Sequence, residues 1–349
     1  MDFPDELIAE ILIRLPVKSL LRFKSVSRSW RSLISSRRFV TKHLMMMKLS
    51  DFTHQRILLN CHGHLKQCSV SSLIHDPIVE PLDWDYSPNP FRNSVWVVGS
   101  CHGMVCLTVD RNRHLVLWNP SLKIFRQLPD FGVSFGSYFA YGLGFDSSTD
   151  DYKLVGFYKD GGNCIVVKVY SLKSNEWRRM RDYKGHSLMA DPAVFVNGKL
   201  HWNTIVDPTS GGWDIVSVDL ETEEYGTFGM PDYVKSGSYS ALGVYGGEKL
   251  CVFCCHLTCA EVWFMNGEGS WTKMVSIPYF DEHLRYKYNR LLYVMEKGEI
   301  VLLQSSSDIV IFDSRDSSSI RYPVIRNNRH FVAASSYMET LVSPFYDDK

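Results

Sequence analysis

One unit recurs along most of this sequence, and its period limits the folds open to it. The unit is an apolar strand, a polar turn, then a strand bearing an aromatic or an arginine and often ending near proline. Copies are LVLWNPSLKIFRQLP around Trp118, VVKVYSLKSNEWRRM around Tyr170, IVSVDLETEEYGTFGMP around Val218, AEVWFMNGEGSWTKMVSIP around Trp263 and DIVIFDSRDSSSIRYPV around Phe312. The steps between these anchors are 52, 48, 45 and 49 residues. A fainter copy, CSVSSLIHDPIVEPL, lies around Val70, 48 residues before Trp118.

Between the anchors lies a second recurring piece, an apolar hairpin. YGLGFDSSTDDYKLVGFY, AVFVNGKLHWNTI, LGVYGGEKLCVFCC and LLYVMEKGEIVLLQ are its copies. Asn197-Gly198 and Gly246-Gly247 suit tight two-residue turns, which need positive φ. Roughly four strands per period of about 50 residues predict a β-propeller with blades of kelch-like size. A blade has two faces that only its neighbours can cover, so closing the ring is favoured. Six blades fill 52–349; five or seven are the neighbouring counts, and two stacked antiparallel sheets are the rival architecture. FVAASSYMETLVSP is expected to add a strand to the first blade and close the ring.

The first 46 residues do not share this pattern. Leu7, Ile8, Ile11, Leu12 and Leu15 form a helical stripe, with Asp2 to cap it and Pro4 suited to its first turn. Pro16 ends that helix. A second helix is expected from about Val17 to Ser25, and a third behind a Ser27 cap, carrying Trp30, Leu33 and Ile34. Phe39, Val40 and Leu44 suggest a last short turn. Three such helices bury little among themselves, so some apolar residues are expected to face another protein. Leu7, Ile11 and Leu33 are assigned to the core. Residues 1–48 carry ten basic and four acidic side chains, a net +6 hidden inside an overall charge of zero. Such a basic end suits an acidic partner or a solvated helix face.

The string PDELIAEILIRLPVKSLLRFKSVSRSWRSLISSRRFVTKHL resembles an F-box. It has Ile-Leu-x-Arg-Leu-Pro at Ile11 to Pro16, a Leu pair at Leu20 and Leu21, and Val-x-x-x-Trp at Val26 to Trp30. Phe3-Pro4 stands where the family has Leu-Pro, and Ser27 where it often has Cys. The resemblance implies docking on a Skp-type adaptor, and through it a cullin scaffold. It implies Pro4, Leu15, Pro16, Leu20, Leu21, Val26 and Trp30 as adaptor contacts. A helix-turn-helix DNA binder is the competing reading of the basic segment. It is disfavoured because Arg28, Arg31, Arg37 and Arg38 cannot share one recognition face.

The remainder resembles the F-box-associated domain of plant F-box proteins. The matching strings are Gly99-Ser100-Cys101-His102-Gly103-Met104-Val105-Cys106-Leu107, Leu117-Trp118-Asn119-Pro120, Gly142-Leu143-Gly144-Phe145-Asp146, Asp151-Tyr152-Lys153-Leu154-Val155, Val196 to Trp202, and Tyr337 to Leu341. His102 stands where the family usually has Asn. The expected organisation is a helical adaptor-binding domain over 1–46 and a substrate-recognition propeller over 52–349. The implied function is that of a non-catalytic substrate receptor of a Skp–cullin–F-box ubiquitin ligase. A narrower alternative is an S-locus F-box protein that recognises a pistil ribonuclease. An alternative of another class is a propeller lectin or enzyme with a helical cap.

Candidate chemistry is sparse. Gly99 to Gly103 mimics a nucleophile elbow around Cys101, yet Met104 onward reads as strand, where an elbow needs a helix. Cys61, His62, His64 and Cys68, or Cys251, Cys254, Cys255, His256 and Cys259, have zinc-ligand composition. In a strand, Cys251 and Cys255 face opposite to Cys254, so buried free thiols fit better. Gly142-Leu143-Gly144 lacks the third glycine of a dinucleotide loop. Asp150-Asp151 and Glu223-Glu224 fall in turns. No cofactor, metal, nucleic acid or membrane contact is expected, and the target-binding residues are not legible. Nine cysteines without a secretory leader fit the cytosol or nucleus.

Overall fold

A computed structural model describes residues 5–49, 52–61, 64–83, 95–109, 114–132, 139–159, 165–189, 191–207, 212–231, 239–256, 258–267, 269–278, 288–295, 298–304, 308–316, 320–326 and 333–346. Helices occupy the N-terminus, and strands dominate the remainder.

Most of the described strands form six antiparallel units of four, and Ile78–Val79 pairs parallel with Val324–Ile325 beside them. The second unit runs Val95–Cys101, Met104–Val109, His114–Asn119 and Ile124–Gln127. The third runs Phe139–Asp146, Asp151–Lys159, Ile165–Ser171 and Glu176–Arg179. The fourth is Val194–Val196, Lys199–Asp207, Gly212–Asp219 and Tyr225–Gly229, with Ser187–Leu188 beside its second strand. The fifth is Tyr239–Tyr245, Lys249–Cys255, Cys259–Asn266 and Ser270–Pro278. The sixth is Tyr288–Val294, Glu299–Gln304, Asp308–Asp313 and Ile320–Arg321, joined to the fifth by one parallel bridge, Tyr245 to Val294. Trp118, Tyr170, Val218, Trp263 and Phe312 each lie on the third strand of their unit, and each is buried.

The first unit is built from both ends of the chain. Ala333–Met338 pairs antiparallel with Gln55–Cys61, which pairs with His64–Ser69 and then Leu82–Asp83. The expected closing strand is therefore present. The innermost strands touch in a ring: Ala333–Met338, Val95–Cys101, Phe139–Asp146, the Val194–Asp207 hairpin, Tyr239–Tyr245, Tyr288–Val294, and back to Ala333–Met338. This is a β-propeller-like arrangement.

Two expectations fail locally. The faint copy at Val70 is not strand but a short helix, Val70–His75, whose first turn is capped by Ser69 through a 3.4 Å bond from the Ser72 amide. The last N-terminal turn is a full helix. Helix α1 spans Asp5–Leu12, α2 Val17–Phe23, α3 Arg28–Ser35 and α4 Arg37–Leu49. Four helices stand where three and a last short turn were expected.

The G-x-G string is explained by packing. A Cβ on Gly142 would lie 2.5 Å from the Ala193 Cβ and 2.8 Å from the Trp202 ring. Only a bare backbone lets the third unit approach the fourth this closely.

Candidate adaptor face and the seam between helices and ring

The helices divide the expected adaptor residues by depth. Leu20 is fully buried beside Leu12, Ile13, Val17, Ile34 and Phe39. It lies beneath the helical surface. Leu15, Leu21 and Trp30 are half-buried against this core, with Trp30 edge-on to Phe23 at 5.5 Å. Pro16 is exposed, and Val26 is 61% exposed. Pro4 lies outside the described residues. Ser27 caps α3 as expected, accepting from the Trp30 amide at 3.1 Å.

Two residues that the sequence pattern assigns to the core stand on the surface. Leu7 and Ile11 are 52% and 59% exposed. They lie four apart on α1, turned away from the buried Leu12 and half-buried Ile8. The signal for this is the stripe's width, which exceeds what one buried face of so short a helix needs.

The other side of the helices is sewn to the ring. Leu341, from the segment after the closing strand, belongs to the helical core, and Leu122 packs against it. Leu44 of α4 belongs to a ring cluster with Cys101, Met104, Leu143 and Val342. Part of the apolar surplus expected to seek a partner is thus covered by this chain.

A strap over residues 339–346 holds the seam. Glu339 takes a bidentate pair from Arg56 at 3.0 and 3.1 Å. Asn119 is fully buried; its Nδ2 donates to the Thr340 and Val342 carbonyls at 3.1 and 2.6 Å. Its Oδ1 accepts from the Ser121 and Leu122 amides at 2.8 and 3.2 Å. The Thr340 hydroxyl donates to the His102 carbonyl at 2.8 Å. Gly103, at φ +80°, has no room for a Cβ, which would sit 2.4 Å from the Met338 oxygen. Arg37 of α4 pairs with Asp150 and lies over the Tyr346 ring.

His102 is the hinge point of this seam. Its φ is +50°, a region that His and Asn tolerate better than most residues. Lys48 Nζ donates to its Nε2 at 2.8 Å. A neutral ring with Nε2 accepting carries its proton on Nδ1, 3.1 Å from the Tyr152 hydroxyl. Burial, with Lys48 adding to it, holds the His102 pKa down at about 3.

The ring surrounds a cavity of about 1210 Å³, walled by inner strands and roofed by α4 residues including Leu44, Met45 and Lys48. The turns His102-Gly103, Asn197-Gly198 and Gly246-Gly247 all border it, and Lys48 of α4 reaches the first of them. Each joins the first strand of a unit to its second. The second strands run away from those turns, so their far ends lie toward the opposite mouth.

Residues 44–343 match the family described as F-box associated beta propeller domain. The chain belongs to that family. Residues 1–42 match the F-box domain. F-box/kelch-repeat protein At3g23880 of Arabidopsis thaliana is 32% identical, over 98% of this chain and 96% of its own. F-box protein CPR1 of Arabidopsis thaliana is 29% identical, over 91% of this chain and 84% of its own. The fold recurs in a chain of the nidogen/laminin complex, with a TM-score of 0.50 at 10% identity, covering 82% of this chain and 99% of that one.

In this F-box protein several of the sequence's chemical candidates pack or pair within the fold, and His62 lies outside the described residues. Cys101 is buried, and burial pushes its thiol far above the ordinary range. Cys251 and Cys255 join one core cluster and Cys254 another, on opposite faces of their strand. Among the described residues, no three His, Cys, Asp or Glu side chains converge as a metal site would require. Asp151 accepts from the Lys173 amide at 3.0 Å, and Glu223 pairs with Lys153 and Arg178. No helix among the described residues is long and apolar enough to cross a membrane.

Proposed function

We propose that this F-box protein is a substrate-recognition subunit of a Skp–cullin–F-box ubiquitin ligase. Its F-box would bind a Skp-type adaptor, and its propeller would hold a target protein for ubiquitination. The reading rests on one observation: the F-box helices have two sides with opposite fates. One side is closed against the ring by Leu341, Leu122 and the strap. The other leaves Leu7, Ile11, Pro16 and Val26 open, next to half-buried Leu15, Leu21 and Trp30. Exposed apolar side chains over half-buried anchors are what a partner's pocket needs for affinity. The basic side chains around them would steer an acidic partner.

The opposite mouth of the ring is the natural target face. It lies on the side of the ring away from α4. The proposed catalytic contribution is proximity: the chain holds a target near an enzyme bound elsewhere, and none of its own residues makes or breaks a bond. Cytosol or nucleus is the proposed compartment, in keeping with free buried thiols.

Co-expression with a Skp-type adaptor tests the reading. The wild type is expected to co-purify as a stable complex, and a Leu15→Ala, Pro16→Ala double variant to lose most of it. A wild-type chain that purifies folded and without adaptor sinks the proposal.

A further inference from the structure

We propose that His43 is a positioning residue for adaptor docking: its imidazole fixes the Leu15-Pro16 break between α1 and α2 in the shape that a Skp-type adaptor takes. The inference rests on the reading of this F-box as an adaptor-binding module, and it adds to that module a residue that never touches the adaptor.

Proline forces the break. In a continuous helix each amide donates to the carbonyl four residues back. Pro16 has no amide hydrogen, so it cannot take the Leu12 carbonyl. The Leu15 amide takes it instead, at 3.0 Å. Pro16 then opens α2, its carbonyl accepting from the Ser19 and Leu20 amides at 2.9 and 3.1 Å. Ser19 is the residue that would serve the Leu15 carbonyl in an unbroken helix, so the turn passes that carbonyl over. A backbone oxygen shut off from water needs a donor from elsewhere.

His43 supplies it from α4. The side chain is fully buried, and its Nε2 lies 3.0 Å from the Leu15 oxygen. A carbonyl only accepts, so Nε2 carries the proton. Nδ1 is then bare, with no hydrogen-bond partner among the described residues. The ring stacks on Phe39 at 6.2 Å, which sets its plane. Burial lowers its pKa, so the imidazole stays neutral. Leu15 is half-buried and Pro16 exposed, on the open side of the helices with Ile11 and Val26. An interface anchor binds best when it is held in its bound shape beforehand, because ordering it on contact weakens affinity. A carbonyl tied to α4 keeps the Leu15-Pro16 peptide from turning, and both side chains with it. Leu44 and Lys48 fix α4 to the ring in turn. His43 therefore passes the rigidity of the ring to the two residues at the break.

Calorimetric titration of the full chain with a Skp-type adaptor tests this, at a temperature where the melting curve shows each variant folded. His43→Phe keeps an aromatic ring to stack on Phe39 but has no donor, and it is expected to weaken adaptor binding about tenfold or more. His43→Gln places an amide N–H near the Nε2 position and is expected to recover most of that affinity. Ile34→Val is the control for lost packing alone. Ile34 is fully buried in the same core, and this variant is expected to melt earlier while binding the adaptor within about twofold of wild type. Wild-type affinity in His43→Phe, or an equal loss in His43→Phe and Ile34→Val, overturns the proposal and leaves the adaptor reading standing. So does a His43→Gln chain that binds no better than His43→Phe. A wild-type chain that does not bind the adaptor overturns both. Should His43→Phe fail to fold, NMR spectra of the wild-type imidazole nitrogens still decide. The Nε2–H tautomer is expected in the free chain and in the complex, and an Nδ1–H tautomer overturns the proposal.

Discussion

The Lys48 ammonium meets His102 Nε2 at 2.8 Å, so the last turn of the F-box's final helix is bonded to a left-handed turn at the mouth of the ring. His102 also touches Phe145, Tyr152 and Phe195 through ring contacts of 5.1 to 6.1 Å. One imidazole thus ties α4 to the third and fourth units.

His102→Asn keeps a residue that tolerates positive φ and is expected to change stability by about 1 kcal/mol or less. His102→Val puts a β-branched side chain there and is expected to cost about 2–3 kcal/mol. Thermal unfolding of the two variants beside wild type checks the contrast. Equal losses would show that the backbone conformation is not what the position demands.

Acid is expected to loosen the molecule well before its carboxylates titrate. Burial lowers the pKa of His43 and His54, that of His102 to about 3 and that of His201 to about 4. These rings stay neutral in the folded chain while the unfolded chain takes up protons below about pH 6.5. Their stabilising contribution is therefore full above that pH and is lost as pH falls toward the folded values. Melting temperature should decline between pH 6.5 and 4. His201→Gln should flatten the decline, and an unchanged slope would count against this account.

The strap should matter out of proportion to its length. Leu341→Ala removes a buried anchor of the helical core and is expected to cost about 3 kcal/mol. Asn119→Ala strands two carbonyls and two amides, at about 1–3 kcal/mol. Both should expose α4 to limited proteolysis. Wild-type cleavage rates in the Leu341→Ala chain would contradict a seam that closes on this leucine.

Surface and core within the F-box should separate cleanly. Ile11→Asp and Val26→Asp lie on exposed positions and are expected to leave the melting temperature nearly unchanged. Each should weaken adaptor binding by about tenfold or more. Leu20→Ala should instead destabilise the chain by about 2–5 kcal/mol. Calorimetric titration with the adaptor, read beside melting curves, tells the two effects apart.

Thiol chemistry offers a simple readout of packing. Burial raises the pKa of Cys68 to about 12 and pushes Cys101, Cys106, Cys251 and Cys254 higher still. In native buffer these five should resist alkylation for hours and react at once in denaturant. Mass spectrometry of labelled peptides would reveal any that reacts early.

The ring was legible in the sequence because five of its six units repeat one buried residue on their third strand. Trp118, Tyr170, Val218, Trp263 and Phe312 announce themselves by spacing alone. Val70 misleads because a serine cap diverts the chain one step after a real strand, and the apolar residues beyond it serve a helix as well as a strand. Leu7 and Ile11 mislead because periodicity marks an apolar stripe without saying which edge of it stays wet. The seam was not legible at all. Leu341 and the helical core, or Lys48 and His102, meet only once the ring has closed, and no local pattern records that meeting.

The closing strand and the strap also carry a consequence for synthesis. The helices emerge from the ribosome first, but the leucine that completes their core is translated roughly three hundred residues later. Until Ala333–Met338 arrives, the first sheet has an unpaired edge and the helices an open seat. A prematurely terminated polypeptide would lack both at once. Its front end and its back end would fail together, so a defective copy is poorly placed to compete with intact ones for shared partners.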